Sequence, residues 1–144
     1  MTPLEEVRKK VARILADEFG ALFRVGDDFG MEVAIRGTAC FINLDERSVV
    51  LIDLYAPILR SVSLTNELFQ WVATSGQDFQ IGSVVLETQE SVDSGALFYR
   101  YALVGNDIDP MELVYAVTMV GYSADRLIQI LQPAFGGKSY HEDN

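Results

Sequence analysis

Residues 48–76 read SVVLIDLYAPILRSVSLTNELFQWVATSG, and this stretch decides the fold. Val49-Val50-Leu51-Ile52, followed by Leu54-Tyr55, is apolar at both alternating sets of positions. Such a run predicts a strand that is covered on both faces or is at least central in its sheet. Pro57 has no N–H to give to a ladder, so regular pairing is expected to stop near it. Thr65 before Asn66-Glu67-Leu68-Phe69 is a helix N-cap signal with an acid in the first turn. Leu68, Phe69, Trp71 and Val72 then form the apolar face of a helix over 66–75, closed by Gly76.

Working outward, two more strands precede this one. Residues 31–36 alternate Met31, Val33 and Ile35 with polar or small partners, and Gly37 turns the chain. Residues 38–44 follow, with Cys40, Ile42 and Leu44 on one face and Phe41 on the other. Asp45-Glu46-Arg47 is the next turn, leading into the strand 48–55. Connections this short imply an antiparallel meander. Further upstream, 22–25 reads as a short edge strand or a connector, and Gly26-Asp27-Asp28 with Gly30 as a turn. Downstream, strands are expected over 78–87 and 95–104, separated by a polar loop at 89–94. Leu97, Phe98, Tyr99 and Tyr101 read as cross-strand packing residues rather than a ligand-stacking platform, because no basic partners accompany them.

A helix closes each end. Thr2 and Glu5 make a T-x-x-E capping box with Pro3 at the first helical position. Leu4, Val7, Val11, Ile14 and Leu15 form one stripe, the basic residues at 8–10 and 13 lie mostly off it, and Gly20 ends the helix. Over 109–132, Asp109 caps, Pro110 stands at N1, and Leu113, Val114, Val117, Val120, Ala124, Leu127, Ile128 and Leu131 recur at helical spacing. Gly121 and Tyr122 interrupt that stripe, which implies either a kink or a close approach by another backbone; glycine in a helix interior costs about 1 kcal/mol relative to alanine. Pro133 and Gly136-Gly137 are expected to end the helix. The order α-βββ-α-ββ-α gives an α+β fold, an antiparallel sheet with packed helices, in one domain over 1–137 with a polar flexible tail over 138–144.

Composition narrows the function. The 144 residues carry a net charge of −10 with 49% apolar residues. Phosphates and anionic membranes would be repelled, so neither nucleic acid nor a membrane is an expected partner. High apolar content in so acidic a chain suggests further apolar surface buried in a dimer or against a partner. A single Cys40 cannot form an internal disulfide and fits a reducing, cytoplasmic compartment. Residues 1–10 lack the apolar core of a leader, and no apolar run approaches the roughly 20 residues that span a bilayer.

Catalytic constellations are not visible. His141 is the one histidine and lies in the tail. Cys40 sits among apolar strand residues and reads as an inert thiol. Asp27-Asp28 reads as a turn, without a third ligand at metal-binding spacing. Gly136-Gly137-Lys138-Ser139 resembles the end of a P-loop, but Gln132 stands where the upstream glycine belongs and no helix follows. An enzyme, a metal or a cofactor is therefore not expected.

Three stretches carry a family resemblance: Leu54-Tyr55-Ala56-Pro57-Ile58-Leu59, the run from Leu103-Val104-Gly105-Asn106 through Asp109-Pro110-Met111-Glu112-Leu113, and Phe135-Gly136-Gly137. With the order of elements, they make residues 4–137 resemble the YbjN-like, type III secretion chaperone-like superfamily. The resemblance implies a non-enzymatic, chaperone-like module that binds a peptide segment or partner protein and pairs as a homodimer. It implies a protein-binding or dimer surface at Leu68, Phe69, Trp71 and Val72, or on the strand ending at Tyr55. Two alternatives stand beside it: an interaction protein with one fixed, folded partner, and a small-molecule sensor using a cleft near Trp71 and Tyr99.

Overall fold

A computed structural model describes residues 1–28, 30–89 and 92–142. Residues 29, 90–91 and 143–144, which fall in the expected turn, polar loop and tail, lie outside the described residues. The chain runs α1 (Pro3–Phe19), β1 (Phe23–Val25), β2 (Met31–Ile35), β3 (Thr38–Glu46), β4 (Val50–Ser63), α2 (Asn66–Ala73), β5 (Ser83–Thr88), β6 (Ser94–Val104) and α3 (Pro110–Phe135). Among the described residues, six antiparallel strands form one sheet in the order β1-β2-β3-β4-β6-β5. The fold is α+β, as the sequence implied, and the ambiguous residues 22–25 supply the edge strand β1.

Local signals place the helices. Thr2 Oγ1 accepts from the Glu5 amide at 3.2 Å, and Asp109 Oδ1 accepts from the Met111 amide at 2.8 Å. Each satisfies a donor that the helix leaves unpaired in its first turn. Gly20 takes the expected C-cap position of α1. Thr65 caps α2 by accepting from the Leu68 amide at 3.1 Å. The far end of α2 differs from expectation: Thr74 is the C-cap, and Gly76 lies in a following 3-10 turn.

All three helices cover one face of the sheet. Val33, Cys40, Ile42, Ile52, Leu54, Ala56, Leu97 and Tyr99 point into this layer, against Leu113, Val117, Val120, Ala124 and Leu131 of α3 and Val11 and Leu15 of α1. Burying each large aliphatic side chain contributes about 1.5–3 kcal/mol. The interruption at Gly121 accommodates a side chain, not the second backbone that the sequence suggested. A Cβ there would lie 2.3 Å from Ile35 Cδ1, so only glycine lets α3 settle onto β2. Tyr122 points outward, where the Arg36 guanidinium lies 4.8 Å from its ring centre.

Four expectations are narrowed or corrected. First, the apolar run at 49–55 meets the second of its two readings: it is central in the sheet and covered on one face only. Ile52 and Leu54 are fully buried, Leu51 and Tyr55 are half-buried, and Val49 is exposed before the strand starts. Second, Pro57 does not stop β4, which continues to Ser63 with register shifts between Pro57 and Leu59 and between Leu59 and Val62. The β3–β4 ladder already ends at the Phe41–Tyr55 pair, so the missing N–H of Pro57 removes no bond from it. Pro57 contributes its carbonyl instead, accepting from Thr38 Oγ1 at 2.7 Å. Third, α3 passes through Pro133 to Phe135. Proline there leaves only the carbonyl of exposed Gln129 without its helical donor, and water can reach it. Fourth, β5 starts at Ser83 rather than at residue 78.

Candidate functional site

The other face of the sheet has no helical layer among the described residues. Side-chain alternation puts Phe41 of β3, Tyr55 and Pro57 of β4, Phe98 of β6 and Val85 of β5 on this side. The aromatic rings form a row across three strands. Phe41 and Tyr55 stack with centroids 5.3 Å apart and planes 16° apart, and Tyr55 meets Phe98 edge-on at 6.2 Å. Such pairs contribute about 0.5–1.5 kcal/mol beyond the area they bury. Tyr140 extends the row from the far end of the chain, meeting Phe41 edge-on at 5.9 Å. Together these residues line a shallow groove of about 520 Å³.

Acidic groups border the row. Asp53 and Glu87 line the same groove, and Asp28 and Glu32 line an adjoining one of about 330 Å³ that shares Phe41 and Tyr55. Arg100 lies in the groove, but Asp53 holds it through two bonds of 3.0 and 2.7 Å. Arg24 is similarly committed to Glu32 at 2.9 Å. Burial of its ring, then the Asp53 carboxylate and more distant acids, push the Tyr55 phenol above its ordinary pKa. Tyr55 therefore carries its proton at neutral pH and can donate or accept a hydrogen bond at the centre of the row.

The residues singled out on α2 and β4 do not form one surface. Leu68 is fully buried and pins α2 to the core, Trp71 and Val72 are partly buried against it, and Phe69 is 44% exposed. These lie on the helical side, near the edge strand β5, with the Trp71 ring next to Gly76 and Val84. Tyr55 lies on the opposite side of the sheet. The space near Trp71 and Tyr99 is occupied: Tyr99 is buried, meets Phe79 edge-on at 5.3 Å, and donates its hydroxyl proton to the Ile81 carbonyl.

Phe41, Phe98 and Tyr140 were missed as site residues. Their signal is present in the sequence: Phe41 and Phe98 are aromatic residues in the outward phase of strands whose neighbours are core. Tyr140 carries no such signal, because residues 138–142 find their place only through tertiary contacts.

Two of the residues weighed for chemistry in the sequence have structural surroundings. Cys40 is buried, and desolvation pushes its thiol far above the usual range. Asp28 Oδ1 accepts from the Gly30 amide at 3.0 Å, as a turn residue does. Among the described residues no group of three or more His, Cys, Asp or Glu side chains could hold a metal ion, and no helix is long and apolar enough to cross a membrane.

Comparison with known proteins identifies the family and the fold. Residues 5–143 match the family described as T3SS (YopN, CesT) and YbjN peptide-binding chaperone 1. The fold is shared with the Yersinia pestis type III secretion chaperone SycH, solved in complex with a stable fragment of YscM2. That match has a TM-score of 0.54 at 13% identity and covers 83% of this chain and 98% of SycH. It is also shared with YbjN from E. coli, with a TM-score of 0.54 at 14% identity, over 83% of this chain and 92% of that one. No curated protein matches the chain by sequence.

Proposed function

The chain belongs to the peptide-binding chaperone family of type III secretion and YbjN proteins, and on that premise we propose that it is a non-enzymatic, chaperone-like module that holds an extended segment of a partner protein on the open face of its sheet. The observation that carries this reading is the aromatic row Phe41–Tyr55–Phe98, half-buried and met only by Tyr140 among the described residues, on a sheet whose other face is packed by the helices. Contiguous apolar surface of this kind marks interaction sites. An extended peptide presents alternate side chains to one side, so it can lay apolar residues on the row while its backbone bonds to Tyr55 and the rim. Asp28 and Glu87, beside Glu32 and Asp53 whose charges Arg24 and Arg100 already meet, favour partner segments that carry basic residues and disfavour acidic ones. A shallow groove gives modest affinity, which suits a holder that must release its client.

Calorimetry with a panel of extended apolar–basic peptides tests the proposal. Tyr55→Ala and Phe98→Ala should each weaken binding by more than about 1 kcal/mol, roughly fivefold or more. Binding that is unaffected by both changes would place the site elsewhere.

We propose in addition that two copies pair through α2 and the free edge of β5. Exposed Phe69, with partly buried Trp71 and Val72, and the outer edge of β5, which no strand covers among the described residues, support this. Light scattering should show a dimer that Phe69→Glu dissociates, and a monomer at every concentration would rule it out. The free, buried Cys40 supports a cytoplasmic location. A fixed, folded partner would be distinguished by crosslinking and hydrogen exchange on the bound partner, which would then show protection before binding. A small-molecule sensor has less support, since the region of Trp71 and Tyr99 is filled.

A further inference from the structure

β4 outruns its neighbour. The ladder with β3 ends at Phe41–Tyr55, yet β4 continues to Ser63, paired on its other side with β6. Its second half would present an open edge toward β3. Residues 138–142 take that place. Arg60 and Lys138 exchange two backbone bonds, each 2.8 Å, in antiparallel sense. Gly137, with φ of 86°, admits the chain there; a Cβ would lie 2.8 Å from the Arg60 carbonyl oxygen.

Two residues beyond the bridge, Tyr140 is carried onto the open face against Phe41. A clasp holds this turn. The Glu142 carboxylate accepts from Gln132 Nε2 at 2.6 Å and from the Ser139 hydroxyl at 3.1 Å, and the Arg60 guanidinium donates to the Glu142 carbonyl. The fit is incomplete. Tyr140 is 38% exposed, and an opening of about 190 Å³ remains between Pro57, Phe98, Lys138 and Tyr140.

A strand edge bridged by backbone bonds at one residue, with an aromatic side chain delivered from the turn that follows to an aromatic floor, is part of what the proposed function asks of a client. We propose that residues 138–142 are a built-in occupant of the peptide site, and that a client displaces them. The client pairs its backbone with Arg60 and sets an aromatic side chain two residues later where Tyr140 sits. This inference rests on the peptide-binding reading of the open face. A tethered competitor lowers apparent affinity by the fraction of time it leaves the site free, so occupancy nine-tenths of the time weakens client binding ~10-fold.

The test uses a full-length chain in which residues 138–142 are replaced by Gly-Ser of equal length. The probe is a fluorescent synthetic peptide of residues 136–142. It should bind the replaced variant ~10-fold more tightly than the unaltered chain, and the same peptide with alanine for Tyr140 should bind neither. Circular dichroism and a melt establish that the variant is folded. Should it fail to fold, Tyr140→Ala in the full chain, which keeps the Arg60–Lys138 bridge, should shift affinity in the same direction. Equal affinity for both chains, or no binding to a folded variant, overturns the inference. Panel peptides separate it from its premise. If they bind the unaltered chain in a Phe98-dependent way and replacement changes nothing, displacement is wrong and the binding face stands. If they bind neither form, the binding face itself falls.

Discussion

On the helix-covered face of the sheet, Ile52, Leu54 and Leu97 are fully buried; one residue along the same strands, Leu51, Tyr55 and Phe98 point the other way and stay half-open. The two faces share a backbone and differ in what completes them. Three helices of the same chain seal the first. The second is finished by three rings, a border of carboxylates and a five-residue turn. Because strand side chains alternate with a period of two, one strand can carry the core on one phase and a recognition surface on the other, with little interference.

Paired substitutions test that separation most directly. Leu54→Ala should lower the unfolding free energy by about 2–5 kcal/mol in a urea titration, through lost burial and a residual cavity. Phe98→Ala on the open face should lower it by less, about 1–2 kcal/mol for a half-buried ring and its edge contact with Tyr55, while weakening peptide binding. Equal losses of stability would mean that the open face is part of the core after all.

Gly121→Ala should cost about 1–3 kcal/mol, since its new methyl meets the Ile35 side chain. Adding Ile35→Val removes the nearest of the colliding atoms and should restore part of that loss, a coupling that a double-mutant cycle will read out. Simple additivity would put the strain elsewhere. A smaller effect is expected from Asp53→Asn on the open face. The Arg100 partner is largely exposed, so stability should change by only about 0–1 kcal/mol. Binding of a basic peptide should lose part of its salt dependence, as a charge leaves the border.

How legible these features were in the sequence follows from the range of the interactions behind them. Thr2 with Pro3, Thr65, and Asp109 with Pro110 announced their helices because a cap is settled within four residues. The phase of Phe41 against Cys40 and Ile42 was also readable, since alternation is local. Which phase would receive the helices was not. The α2 residues and the strand ending at Tyr55 accordingly stood as alternative surfaces, and the sheet places them on opposite sides. The effect of Pro57 depended on where the ladder with β3 ended, at Phe41, well upstream in the chain. The placement of 138–142 depended on a free stretch of β4 near Arg60, which no local pattern reveals.

The subtlest difference between the faces should appear in acid. Hydrogen bonds from Gln132 and Ser139, with Lys138 nearby, hold the Glu142 carboxyl below its ordinary pKa of 4.5. A depressed carboxylate contributes stability that is present above about pH 4.5 and lost as pH falls through its folded pKa. The Tyr140 ring signals in an NMR titration should therefore hold steady above that value and move toward free tyrosine below it, while core methyls of Ile52 and Leu54 stay put. A His141→Gln variant, which removes the ring packed on Tyr140, should leave that acid transition in place. Tyr140 and the core methyls moving together would mean that acid unfolds the whole domain.

The packing of α1 against α3 sets a timetable as well as a core. About 90 residues separate the end of the first helix from the start of the last. At synthesis rates of about 5–20 residues per second, Val7, Val11, Ile14 and Leu15 emerge about 5–20 s before the helix that will close over them exists. A protein read here as a holder of other chains thus begins life with an amphipathic stripe of its own awaiting cover.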